Sequence, residues 1–194
     1  MKKTPIDQEF VLLWSPRYDG VGAGNDNLEY DNLLKEVSRD IVHGHISEQT
    51  FKRVLNWKSP RLKGIVRLDQ FECYNEGIKQ ALIAPGPEKL RILDDLYGIG
   101  VPVASTILHF IYPDTFPIMD IRVTEALCDF GHLTVKSRSQ TNYKKFHEII
   151  LKIVKETNCS IRELDRALFA YHKLVISPRG NKGKHDCCGM KKSM

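Results

Sequence analysis

The sequence predicts an all-α protein, and three observations carry that expectation. Apolar residues return at helical spacing in one segment after another. Capping residues or prolines open most of those segments, and glycines or an asparagine close them. Only one stretch, Phe10 to Trp14, reads as a possible short strand.

Taken in order, Asn27 is placed to cap a helix from Leu28 to about His43, with Leu34, Val37 and Ile41 as its inner stripe and Gly44 as its stop. Ser47 opens a second helix with Phe51, Val54 and Leu55 inward, and Pro60 in "WKSPR" ends it. Asp69 opens a third toward Leu82. In "APGPEKLRILDDLYG", Pro87 takes a first helical position, Glu88 lies where the helix dipole favours an anion, and Gly98 closes the element. Pro102 begins the next helix, which carries Val103, Ile107 and Ile111 and stops before Pro113. A short helix follows Asp120 as far as Phe130, with Gly131 as its stop. Phe146, Ile149, Ile150 and Ile153 form the stripe of a longer one that Asn158 can end. Ser160 with Glu163 is a capping box for the last helix, which runs through Leu164, Leu168 and Tyr171. "SPRYDGVGAGNDN", after the candidate strand, reads as a loop, because its "GVGAG" lacks the lysine and hydroxyl residue of a phosphate loop.

The 194 residues suit one large domain or a compact pair of lobes. The organisation expected is an N-terminal segment and loop over 1–27, a helical body over 28–176 and a basic flexible tail over 177–194. No apolar run reaches the roughly 18 residues of a membrane helix, and "MKKTPIDQEF" lacks a signal peptide's apolar stretch, so a soluble intracellular monomer, in cytoplasm, nucleoid or nucleus, is expected. The net charge of +5 is concentrated at one end: in residues 179–194 five cations oppose Asp186, which leaves the body near neutral. Five scattered cysteines argue against a disulfide framework. Cys187 and Cys188 beside His185 lack a second ligand pair, and "HGHIS", with His43 and His45, reads as a loop, so no metal site is expected.

The chemistry concentrates in "LYGIGVPVASTILHFIYPDTFPIMDIRV", Leu96 to Val123. Gly98 can take the left-handed conformation that ends one helix, and Gly100 lets the backbone approach another surface before Pro102 starts the next. Amides at that helix start can hold an anion such as a DNA phosphate, or the turn can simply join two packed helices. Asp120 likewise has two compatible readings, as the N-cap of "IRVTEAL" and as a functional carboxylate.

This stretch resembles the signature of the helix-hairpin-helix DNA glycosylase superfamily. The matching residues are Leu96, Gly98, Ile99 and Gly100 of the hairpin, the early helical Ala104, and the segment Pro117, Ile118, Met119 and Asp120. The hairpin is similar to that of endonuclease III, and "FPIMD" to the adenine glycosylase branch. The resemblance implies a two-lobed helical fold, double-stranded DNA as partner, a backbone grip through Gly98, Ile99, Gly100 and Val101, and catalysis by Asp120. A carboxylate fits that role because breaking an N-glycosidic bond builds positive charge on the sugar. The base must first be flipped from the duplex.

Two departures qualify the resemblance. Bifunctional members carry a Schiff-base lysine two residues after the second glycine, where this chain has Pro102. A monofunctional, water-using enzyme is therefore expected, unless Lys58 or Lys173 reaches the sugar. Only Cys159, Cys187 and Cys188 stand near the C-terminus, and even with Cys128 the spacing does not suit an iron–sulfur cluster, so no cofactor is expected.

Candidates for the base pocket or wedge are Trp57, Lys58, Tyr171, His172 and Lys173, each of which also reads as an ordinary core aromatic or solvated cation. Arg122 can reach a phosphate or pair with a carboxylate. Rival readings are a hairpin DNA-binding module without catalysis, a same-fold enzyme acting on nucleosides, RNA or modified bases, and a helical protein-interaction domain.

Overall fold

The computed structural model describes residues 5–21 and 26–178, and every regular element among them is helical. The candidate strand is a helix, α1 (Gln8–Trp14), capped by Asp7, whose Oδ1 accepts the Phe10 amide at 2.8 Å. Its apolar run divides by helical geometry: Phe10 and Val11 are buried, whereas Leu12 and Leu13 are exposed. The first part of the expected loop also winds up. Ser15–Val21 forms a 3₁₀ helix that buries Tyr18 against Phe169, with ring centroids 5.2 Å apart.

The remaining helices are α2 (Asp26–Ile41), α3 (Glu48–Lys58), α4 (Phe71–Ile83), α5 (Glu88–Asp94), α6 (Val101–Ile111), α7 (Ile121–Asp129), α8 (Gln140–Thr157) and α9 (Ile161–Tyr171). Helix α2 starts before Leu28, so Asn27 lies inside it, and Tyr30, Leu33 and Val37 carry its core face, with Leu34 and Ile41 packed beside them. A single 3₁₀ turn at Leu68–Gln70 stands where the third helix was expected to open. Ser47 caps α3, Asn158 ends α8 at φ 51°, and the Ser160–Glu163 capping box opens α9. Residues 22–25, from the glycine-rich part of the expected loop, and the tail with His185, Cys187 and Cys188 lie outside the described residues. No described helix is long and apolar enough to cross a membrane.

Helix α6 is the centre of the molecule. Every residue in it except Pro102 is buried, and α2, α3 and α5 pack around it. It starts at the hairpin. Gly98 has φ +75°, and a Cβ there would lie 3.0 Å from the Ile65 carbonyl oxygen, so conformation and space both demand glycine. Gly100, by contrast, is exposed at φ −94°, and an added Cβ would meet nothing closer than Pro102 Cδ at 3.8 Å. Leu96 presses on α4 at Gly77, where a Cβ would collide with it. The Tyr74 hydroxyl donates to the Tyr97 carbonyl and accepts the Arg67 amide, tying the hairpin to the chain that precedes α4.

After α6 the segment Phe116 to Asp120 has no regular secondary structure: the Phe116 amide donates to the Tyr112 carbonyl, the Asp120 amide to the Ile118 carbonyl, and side chains satisfy other backbone groups. Ser105 Oγ accepts the Met119 amide at 3.0 Å, Tyr143 donates to the Pro117 carbonyl at 2.9 Å, and His109 Nδ1 donates to the Phe116 carbonyl at 2.8 Å. Because a carbonyl only accepts, Nδ1 carries the proton and Nε2 accepts from the Tyr30 hydroxyl at 2.7 Å.

Two outcomes are expected for stability. Gly98→Ala should cost about 1–3 kcal/mol in urea unfolding, whereas Gly100→Ala, at a helix N-cap with ordinary φ and open space, should cost less, about 0.5–1 kcal/mol, and Gly100→Ser should be neutral within about 0.5 kcal/mol. Burial holds His109 down to about 4, so below about pH 6.5 the unfolded chain takes up a proton that the folded chain refuses. Stability should fall by on the order of 3 kcal/mol between pH 6.5 and 4 from this group, with the His109 ring still neutral by NMR at pH 5.

Candidate active site

Asp120 is the N-cap of α7: its Oδ1 accepts the Arg122 amide at 2.8 Å. The carboxylate is not spent on that role alone. Its Oδ2 faces Lys58 Nζ at 3.6 Å, and Arg122 Nη1 stands 3.9 Å from Oδ1. Lys58 is the last residue of α3, with a side chain only 12% exposed, against 21% for Asp120. The two come together because α3 and the Phe116–Asp120 segment both pack on α6: Trp57 meets Phe110 edge-on at 5.0 Å, and Ser105 holds Met119.

A second buried ion pair belongs to α9. Arg162 Nη1 lies 2.7 Å from Asp165 Oδ2, and the guanidinium sits 4.5 Å from the Tyr30 ring centroid, 5.0 Å from Tyr18 and 5.4 Å from Trp57. Trp57 Nε1 is buried with no acceptor among the described residues. The charges act on one another. Burial lowers the Lys58 amine, against the pull of Asp120 and Asp165. Burial pushes Asp120 up, but Lys58 and the Arg122 amide outweigh it and hold the carboxyl below its usual range. Burial raises Asp165 despite Arg162. At neutral pH the site therefore presents an ionised Asp120 beside a desolvated amine that holds its proton less tightly than an exposed lysine.

Of the hairpin residues, Ile99 and Val101 have side chains in the core, 2% and 3% exposed, so only backbone groups there can meet a ligand. Gly98 is half-buried and Gly100 exposed. A cleft of about 690 Å³ opens beside the start of α6, lined by Gly100, Val101 and Pro102 on one side and by the loop carrying Lys136 and Arg138 on the other. Arg138 also contributes to the field at Lys58.

The other expected residues separate. Tyr171 packs among Phe10, Trp14 and Phe130 and donates to Asp129 Oδ2 at 2.9 Å, at the end of α7 opposite Asp120. Nine helical residues put those ends roughly 13 Å apart. His172 is buried and pairs with Glu125 at 2.7 Å, opening the π-helical turn His172–Ile176. Lys173 stands 5.9 Å from the Phe169 ring, which Arg122 also covers at 5.0 Å. His43 and His45 are neighbours in an exposed turn, ring centroids 6.4 Å apart.

Sequence reasoning missed Arg162, Asp165 and Tyr30. The available signal was the helical spacing of Arg162, Asp165, Arg166 and Phe169, one polar-aromatic face of α9 opposite Leu164 and Leu168. No protein-family model, curated protein or solved structure matches the chain.

Asp120→Asn keeps an N-cap while removing the charge that raises Lys58. The Lys58 amine should then titrate at lower pH than in the wild type, measured by NMR of the ¹³C-labelled ε-methylene.

Proposed function

We propose that the chain is a DNA N-glycosylase that acts as a monomer inside the cell, releasing a damaged or mispaired base flipped from double-stranded DNA. One observation carries the reading: α6 begins at the Gly98–Gly100 hairpin and, through Ser105, holds the segment that ends on Asp120. A backbone grip and a carboxylate are thereby fixed to the same buried helix.

In this reading the Gly100 and Val101 amides take a phosphate, since Pro102 has no N–H and the Val103 and Ala104 amides already donate to the Gly100 carbonyl, and the cations of the neighbouring loop take the strand beside it. Gly100 leaves room for the close approach. The ionised Asp120 stabilises positive charge developing at C1′ as the glycosidic bond breaks. Its position at a helix start keeps it ionised, and its partial exposure lets a sugar reach it. The capping bond to Arg122 favours a second reading, a hairpin DNA-binding module in which Asp120 serves only α7.

Base release from duplexes carrying alkylated, oxidised, deaminated and mismatched bases separates the two. The wild type should release at least one base, and Asp120→Asn should lose that release while keeping its affinity for DNA. Binding by both proteins with release by neither would leave the binding module.

A further inference from the structure

We propose that the cleft between α5 and α8 is a nucleotide site, with the base against its apolar lining and the phosphate at its cationic rim. The inference rests on the nucleic-acid reading for the nature of the anion, and it adds a site that Asp120 does not line.

The cleft exists because its walls are tied at both ends and not between. At one end Gln140 Nε2 donates to Asp94 Oδ2 at 2.7 Å, joining the start of α8 to the end of α5. At the other, His147 Nε2 donates to the Thr115 carbonyl at 2.8 Å, joining α8 to the loop after α6. The two ties stand seven residues apart, about 10 Å along α8. Between them about 460 Å³ is open, inside the range of about 300–1,000 Å³ typical of small-molecule sites. Its surface is mostly apolar, and three nearly buried side chains, Leu90, Phe116 and Tyr143, contribute to it.

The lining selects a flat ring. Phe116 and Tyr143 both pack on the His147 ring, with centroids 5.7 and 5.9 Å away, while Pro87 and Leu90 line the cleft from the α5 side. Because a carbonyl only accepts, the neutral His147 ring carries its proton on Nε2, and Nδ1 is an acceptor with no partner among the described residues. A ring that stacks on aromatic side chains and offers an N–H at its edge answers both features, and nucleobases do both.

The charges select an anion. Glu88 and Asp95 are both paired with Arg91, and Asp94 accepts from Gln140, so the acids around the cleft are already answered. Lys144 lines the cleft and makes no ion pair among the described residues. Gln140 and Thr141 also line the cleft beside the start of α6, where Arg138 likewise has no ion pair among the described residues. The two clefts therefore form one groove with a ring-lined end and a cationic end. An alkyl chain would leave Lys144 and His147 Nδ1 unanswered, and a bare phosphate would leave the apolar lining unused. A nucleotide uses both, and a strand whose phosphates lie beside Gly100 would enter the same groove.

NMR of the ¹⁵N-labelled full chain tests the site with the common deoxynucleoside monophosphates, their nucleosides, inorganic phosphate and benzoate as probes. The expected result is saturable shifts centred on Leu90, Thr115, Thr141 and His147, with one nucleotide binding more tightly than its nucleoside, phosphate or benzoate. Lys144→Gln should weaken that nucleotide about threefold or more. Thr141→Trp, at an exposed position on the rim, should abolish its shifts and leave the rest of the spectrum in place. No saturation by any nucleotide at millimolar concentration, shifts centred elsewhere, or benzoate as tight as the best nucleotide would overturn the proposal. Because the shifts are mapped on the wild type, a variant that fails to fold does not blunt the test. A short single strand that moves the same residues together with Gly100 and Arg138 assigns the site to a nucleotide within a strand, and a strand that leaves them unmoved assigns it to a free nucleotide. Nucleotide binding here by a protein that releases no base would keep this site and remove the glycosylase. Base release by a protein whose cleft binds no nucleotide would do the reverse.

Discussion

Phe116 to Asp120 lie against the core in neither helix nor strand, and a buried peptide group left without a partner costs about 1–3 kcal/mol. The molecule meets that constraint with side chains from two helices. Ser105 and His109 come from α6 and Tyr143 from α8, and Tyr30 on α2 fixes the tautomer that lets His109 donate. The hydrophobic helix α6 is thus also the polar template of the segment after it, which is why its few polar residues are as buried as its apolar ones. Asp120 stands where it does because the four residues before it have nowhere else to go.

The charges around Asp120 oppose stability more than they serve it. Removing Lys58, Asp120, Arg162 and Asp165 from water carries a penalty that ion pairing repays only with excellent geometry, and apolar residues of similar volume are often better tolerated. The Arg162–Asp165 pair has that geometry, together with three aromatic rings around the guanidinium. The Lys58–Asp120 pair does not, at 3.6 Å. A loosely made pair in a desolvated place is poor masonry and good chemistry, since each partner retains interaction energy to give to something that enters between them.

What was legible in the sequence divides along the range of the forces involved. Ser47, Asn158 and the Ser160–Glu163 box act within one turn of chain, so the ends they set were readable from neighbours alone. Phe10 to Trp14 failed because so short an apolar run fits two periods, and the choice was made by the Phe130 and Tyr171 rings that α1 packs against. At the site, Asp120 and the hairpin were visible in one continuous stretch. The neighbour relation of Lys58 and Asp120 was not, because it depends on α3 and the Phe116–Asp120 segment both meeting α6. Lys58 could be named as a lysine in want of a sugar, but only the packing of Trp57 on Phe110 says where its amine lies.

The two glycines of the hairpin answer to different masters. At Gly98 the chain itself forbids a side chain, through a positive φ and the Ile65 carbonyl. At Gly100 nothing in the folded chain does. Selection for folding alone would hold glycine at the first position and let the second drift toward serine or another capping residue. At position 100 the folded chain thus leaves room beside the start of α6 that its own packing does not use.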